Sequence, residues 1–368
     1  MMVHHSVLTL NSSLHNIKPE ASGPRCKIKK GANASKQSQP MIKKMKKIYI
    51  HIGCGKTGSS ALQIWLNRSS EKLKQLGVNY PTYSKIINSD HEITSGNGVR
   101  LYNKIKSGGL SDFLRNDLNN TDPIFLYSSE SFQNLTHQEI KNLKILVEIF
   151  GFELIPIIFI RDVYPMIYSS YQQLVKRHGY CDDFQVYSES LKSIQQFEVL
   201  EKYETLFQKM HVLHYDTLRY TGLEQSILEI LGIEEYSLPK MSTAKVNRGL
   251  SISELKILKL VNKAYLNSFP KSNGLCQIIS DHMIYSNPEK NTEFFYDEEA
   301  LDIISKKFID QVTSINIKHF NHTVLKILDL GSIQNELVNN FQKIDDADLN
   351  LVLEVLINNI DHSRAFKK

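Results

Sequence analysis

A short apolar run, IYIHI at 48–52, passes straight into GCGKTGSS at 53–60. The stretch that follows carries Leu62, Leu66, Leu73 and Leu76 at the 3.6-residue period of a helix. Ser69 interrupts the apolar face and Gly77 closes it. Strand, glycine-rich turn and helix in that order constrain the chain more than any other feature, because they are the opening of a parallel α/β sheet. The pattern then recurs. IFLYS at 124–128 leads through SESFQNL to a helix from about Thr136, where Thr136 and Glu139 have capping-box spacing and Gly151 follows the end. LIPIIFI at 154–160 meets Arg161 and a helical segment from about Tyr164, with Pro165 tolerated in its first turn. HVLHY at 211–215 reads as a fourth strand, between a helix around 190–209 and the LEQSILEILGI helix that Gly232 closes. Ser251 and Glu254 mark a further capping box. The expected fold is α/β: a P-loop-like, doubly wound parallel sheet flanked by helices, with a helical C-terminal portion. Three regions are expected: a basic tail over 1–47, the α/β domain over 48–320, and a helical extension over 321–368.

Composition narrows the function classes. The 368 residues are 41% hydrophobic, enough for a real core, so wholesale disorder is excluded. No apolar run approaches the ~18 residues of a membrane span. The net charge of +5 is unevenly placed. Residues 1–47 hold ten Lys/Arg against Glu20 alone, and the remainder has 34 basic and 38 acidic residues. The folded part is therefore slightly acidic, and no nucleic-acid-binding surface is expected on it. Lys43, Lys44, Lys46 and Lys47 leave room for peripheral contact with acidic lipid, although a solvated arm, or a true start at Met41 or Met45, explains the tail as simply. The tail lacks the pattern of a secretory signal. Cys26, Cys54, Cys181 and Cys276 form no CxxC pair, and the thirteen His show no HExxH. Structural zinc and a disulfide framework are not expected, and a reducing, cytoplasmic setting is.

In such a sheet ligands bind beyond the carboxyl ends of the strands. Those ends carry Lys56, Glu130 and Arg161. Gly53, Gly55 and Gly58 allow a tight curl, and the helix starting near Ser59 offers N–H groups to a phosphate. Lys56 adds a cation, and Thr57, Ser59 and Ser60 add hydroxyls. The loop is not a Walker A loop, since GxxxxGK[ST] needs glycine at position 50, which is Ile50. The second strand also ends in serines where an NTPase places the Asp that holds Mg²⁺. A phosphate site without a metal partner is the reading, and a tight turn with a chance Lys is the plain alternative. Arg161, with Ser169 eight residues on, offers a clamp for a second anion, or else a surface Arg–Asp pair.

KTGSS after a first strand, SE after a second and RDxxPxxxSSY after a third resemble the sulfotransferases that use 3′-phosphoadenosine 5′-phosphosulfate (PAPS). The similarity is to bacterial members that look like carbohydrate sulfotransferases. VKRHGY at 175–180, YDTL at 215–218 and VNRGLS at 246–251 follow in the same order, so the resemblance spans about 48–320. It implies that Gly55, Lys56, Thr57, Gly58, Ser59 and Ser60 hold the 5′-phosphosulfate. It implies further that Lys56 stabilises the bridging oxygen as it leaves, and that Arg161 and Ser169, joined by Arg248, bind the 3′-phosphate. PAPS is then the donor, with no metal, and the acceptor is a hydroxyl on a small molecule, saccharide or glycolipid.

Sulfuryl transfer builds negative charge on the bridging oxygen, so a cation there lowers the barrier. The acceptor hydroxyl must also lose its proton. Glu130 is the candidate base by position and by similarity, its alternatives being a helix-start acid or a partner for Lys56. His91, in INSDHEITSGNG, is the rival base, because His titrates near neutral pH. Asn97 is placed to touch sugar hydroxyls, and His178 either lines the acceptor cleft or lies at the surface. His51, Cys54 and Trp65 read as packing residues. Two rivals stay open: an atypical P-loop kinase using ATP and Mg²⁺, and a nucleotide-binding scaffold without turnover.

Overall fold

The computed structural model describes residues 46–83, 94–118, 122–233, 238–241, 248–268, 274–290, 294–329, 337–338 and 344–365. The tail before residue 46, with its lysines 43 and 44, and His91 lie outside the described residues.

The chain opens with β1 (Lys46–Ile52), α1 (Ser59–Arg68), α2 (Ser70–Gln75) and β2 (Val78–Asn79). Two short helices, α3 (Gly98–Ser107) and α4 (Leu110–Asp117), precede β3 (Ile124–Ser129), α5 (His137–Ile149), β4 (Phe152–Ile160) and α6 (Val163–His178). Next come α7 (Phe184–Ser190), α8 (Gln195–Glu204), β5 (His211–His214), α9 (Tyr215–Thr221) and α10 (Leu223–Leu231). Then follow α11 (Ile252–Ser268), α12 (Gly274–Ser286), β6 (Phe294–Phe295), α13 (Glu298–Ile315), β7 (Leu337–Val338) and α14 (Asp346–Ala365). β6 and β7 pair only with each other. The other five strands form an all-parallel sheet in the order β2-β3-β1-β4-β5. This is the expected parallel α/β sheet, with β1 central and the chain passing first to one side of it and then to the other.

Strands buried on both faces divide their apolar residues between two cores with the period of two that the pleat dictates. Ile48, Ile50 and Ile52 of β1 and Leu154, Ile158 and Ile160 of β4 enter the larger core with α5, α6 and α8. Tyr49, Leu126, Ile155, Ile157 and Phe159 enter the other, against Leu62, Leu66, Ile227 and Leu231 of α1 and α10. Pro156 cannot donate to a ladder, and it sits one residue before β5 begins to pair at Ile157. Trp65 is buried and its indole donates to the Pro239 carbonyl at 2.6 Å, so it is a core residue.

Some expectations are sharpened. The single amphipathic stretch after the loop is two helices, because Ser69 is both the C-cap of α1 and the N-cap of α2. The helix expected around 190–209 is α8 alone, with α7 before it. The YDTL segment forms α9. The Thr136–Glu139 capping box is formed in both directions. Met45–Lys368 forms one compact unit. The N–H groups of Val163 and Tyr164, at the start of α6, donate to the carbonyls of Lys326 and Ile327 at 3.0 and 2.8 Å. No helix among the described residues is long and apolar enough to cross a membrane.

Candidate active site

The registers bring the strand ends to one edge: Ile52, the last residue of β1, lies opposite Ser129, the last of β3, and Ile158, two residues before the end of β4. Gly53 follows directly and donates to the Ser129 carbonyl at 3.1 Å, so the loop starts beside Glu130. A Cβ on Gly53 would stand 2.9 Å from Glu130 Cγ and from Ser59 Oγ, which is why this position carries no side chain. Gly58 has φ +74° and turns the chain into α1, whose N-terminus no side chain caps. The first N–H groups of that helix therefore face the crevice with their positive dipole end. Thr57 is buried, and its hydroxyl donates to the Cys54 carbonyl at 2.6 Å, with Ser59 Oγ 3.3 Å away.

Lys56 itself has φ 72°, a left-handed conformation that costs a residue with a Cβ roughly 1–2 kcal/mol. Arg161, just beyond β4, helps to hold it there: Nη1 donates to the Lys56 carbonyl at 3.1 Å. The Arg161 guanidinium also lies 5.3 Å from the Tyr215 ring centroid and 3.5 Å from Asp216 Oδ1, while its Nε is buried without an acceptor. The Lys56 ammonium donates to Gln173 Oε1 of α6 at 3.0 Å. Burial lowers the pKa of Lys56, an effect that the Glu130 charge opposes and that Arg177 and Arg161 reinforce. Burial in turn raises the Glu130 carboxyl against the pull of Lys56. Lys56, Glu130 and Arg161 thus surround one loop. Ser169 is half-buried on α6, one turn before Gln173.

Other candidates fall elsewhere. Arg248 is 3% exposed, and all five of its N–H donors are engaged. It grips Glu254 through two bonds of 2.7 and 2.8 Å and donates to the carbonyls of Asn287, Gly249 and Met283. That leaves no donor for a phosphate, and the expected cofactor role is corrected to a buried structural ion pair. Asn97 does not face a sugar: its amide donates to the Leu126 carbonyl and accepts from Ser128 N–H, stitching its loop onto β3. His178 is exposed at the end of α6. His51 is buried with Nδ1 2.7 Å from Ser128 Oγ, and burial depresses its pKa to about 4. The Cys54 thiol is buried and pushed up to about 12 by desolvation, with Glu130 adding to the rise, so it is unreactive as a thiolate.

Three groups at the crevice carried no role in the sequence reading. Asp162, His214 and Asp216 lie close enough together to suggest ligands for a cation. Their atoms are engaged in a lattice instead. Asp162 Oδ1 meets His214 Nε2 at 3.1 Å and accepts from Lys326 N–H, and Asp216 Oδ2 accepts from Asp162 N–H at 2.8 Å. This lattice fixes Arg161 and ties the segment around 326 to the strand ends. Gln173, Lys176 and Arg177 were the other omissions; their helical spacing from Ser169 was the available signal.

No protein-family model and no curated protein matches this sequence. Among solved structures the chain is similar to a sulfotransferase from Alicyclobacillus acidocaldarius, at 13% identity over 61% of this chain and 95% of that one, with a TM-score of 0.34. It is also similar to the sulfotransferase domain from the curacin biosynthetic pathway, at 14% identity over 71% and 97%, with a TM-score of 0.33. A third likeness is to retinol dehydratase in complex with androsterone and the inactive cofactor PAP, at 13% identity over 75% and 83%, with a TM-score of 0.33.

Proposed function

We propose that the protein is a sulfotransferase that moves a sulfuryl group from PAPS to an acceptor hydroxyl, with a saccharide or glycolipid as the acceptor class. The observation that carries this reading is the convergence of Lys56, Glu130 and Arg161 on one glycine-rich loop, with a buried donor of Arg161 left without an acceptor. The loop and the uncapped start of α1 suit the 5′-phosphate, and Ser59 and Ser60 add hydroxyls there. Arg161 Nε and Ser169 suit the 3′-phosphate.

PAPS, when bound, supplies an activated sulfuryl group and a phosphate leaving group. Glu130 takes the proton of the acceptor hydroxyl as its oxygen bonds to sulfur. Lys56 meets the charge that grows on the bridging oxygen as the bond from that oxygen to sulfur breaks, so its interaction is strongest in the transition state. Because burial weakens its hydration, that cation acts more strongly than it would in water. His91 remains the rival base in this proposal, and Glu130→Gln distinguishes the two: surviving transfer would move the role to His91.

The test is a thermal-shift titration with PAP, the 3′,5′-bisphosphate product, beside ADP, both without metal. A ligand bound only by the native state at 100-fold excess over its Kd adds about 2.7 kcal/mol. A shift with PAP that ADP does not reproduce is expected. An equal shift with both, or one seen only with ADP and Mg²⁺, would turn the reading toward an ATP-using enzyme.

A further inference from the structure

Ser169, Gln173 and Lys176 stand at i, i+4 and i+7 on α6 and so share one face of that helix. Gln173 accepts from the Lys56 ammonium, which sets this face against the glycine-rich loop. Ser169 lies one turn toward the helix start, and Lys176 about one turn toward its end, roughly 10 Å from Ser169 along the axis. If Ser169 belongs to the 3′-phosphate and Lys56 to the transferred group, Lys176 stands past the point of transfer, on the acceptor side.

Lys176 is 4% exposed. Among the described residues no carboxylate pairs with its ammonium and no acceptor takes a hydrogen bond from it. Its neighbour Arg177 pairs with Asp281 through Nη2 at 2.7 Å, but Arg177 Nη1 is buried with no acceptor. Burial pushes the Lys176 pKa down to about 7, and the like charges of Lys56, Arg177 and Arg248 add to this against Asp281 alone. A nearly buried Lys176 and the buried Nη1 of Arg177, each without an acceptor, are costly to leave unmet. A bound anion would satisfy both donors and offset the repulsion.

We propose that Lys176 and Arg177 recognise an anionic group on the acceptor, so that the acceptor is a hydroxyl compound that also carries a carboxylate, phosphate or sulfate. This rests on the sulfuryl-transfer reading above. It is tested on the full chain saturated with PAP, with inorganic sulfate as the probe anion. The rate of Lys176 acylation by acetic anhydride is followed by mass spectrometry, and sulfate affinity by calorimetry. Sulfate should slow the labelling of Lys176 at least about tenfold, in the wild type and in Lys56→Met alike. Lys176→Met should weaken sulfate binding at least about tenfold and leave PAP affinity within about twofold. Shielding by PAP alone with equal loss of PAP affinity in Lys176→Met would assign Lys176 to the donor and overturn the proposal. So would shielding that disappears in Lys56→Met, which would place the sulfate at the transfer point, and so would no shielding at all. Absence of PAP binding by the wild type would end the donor reading, and the acceptor assignment with it. PAP binding with unshielded Lys176 would end this inference alone.

Discussion

Replacing Lys56 by glycine, alanine and valine separates what this position does for the backbone from what it does for chemistry. Lys56 holds φ 72°, and among the described residues only Asn321 shares a positive φ without being glycine. A Cβ in that region costs roughly 1–2 kcal/mol, and a β-branched residue more. Glycine removes the strain but carries ~0.5–1 kcal/mol of extra chain entropy relative to alanine. All three variants lose the same buried ammonium, so the difference between them reports the backbone alone. Glycine should therefore be the most stable, alanine below it by about 0.5–1 kcal/mol, and valine below glycine by about 2 kcal/mol. Urea denaturation with a shared m-value reads these gaps. Transfer should fall alike in all three, by a factor of about 10²–10³ in kcat, as for the loss of one transition-state donor. PAP affinity should change much less, because the partner of this ammonium is charge that develops only during reaction. Alanine as stable as glycine would refute the left-handed assignment. A kcat that survives would refute the role of the cation.

The remaining predictions concern buried charges. Burial raises the Glu130 carboxyl, so the folded chain holds that proton to higher pH than the unfolded one, and stability falls as pH rises through its folded pKa. Glu130→Gln should accordingly be more stable than the wild type at pH 8, the gap closing as pH falls toward 4.5, while transfer is lost; lower stability at pH 8 would mean the carboxylate is well solvated. Arg248→Ala leaves the Glu254 carboxylate buried and unpaired and should cost about 3–5 kcal/mol in chemical denaturation. Where Arg248→Ala folds, its PAP affinity should match the wild type, and a selective loss of PAP binding would restore Arg248 to the cofactor site. Lys176 has its folded pKa depressed from 10.5 to about 7, so its charge destabilises the fold most below pH 7 and least above 10.5. Lys176→Met should be the more stable form at pH 6 by on the order of 5 kcal/mol, the gain fading through that window; equal curves at all pH would show a solvated ammonium.

Lys56 of the loop thus meets cations from two consecutive elements that lie more than about 100 residues further along the chain. Arg161 comes from the end of β4, and Lys176 and Arg177 from the last turn of α6, yet the charges of Arg161 and Arg177 bear on Lys56 and that of Lys56 on Lys176. Glu130 is the acid the described crevice sets against Lys56, and the Asp162–His214–Asp216 lattice keeps the Arg161 guanidinium from turning away.

Local chemistry made the strands, the glycine loop and the capping boxes at Thr136 and Ser251 readable in the sequence, because each depends on residues within a few positions of one another. It also placed Lys56, Glu130 and Arg161 together, since the ends of parallel strands must lie on one edge of the sheet. What neighbours in sequence could not decide is which polar groups are already paired. Arg248 beside Gly249 reads as a phosphate ligand until Glu254, Asn287 and Met283 take every donor, and Asn97 reads as a sugar contact until β3 claims its amide. Lys176, within VKRHGY, carries no sign in its sequence neighbours of the burial that packing imposes on it. Whether a side chain has a donor left over is settled by distances across the fold, and only the tertiary structure fixes those.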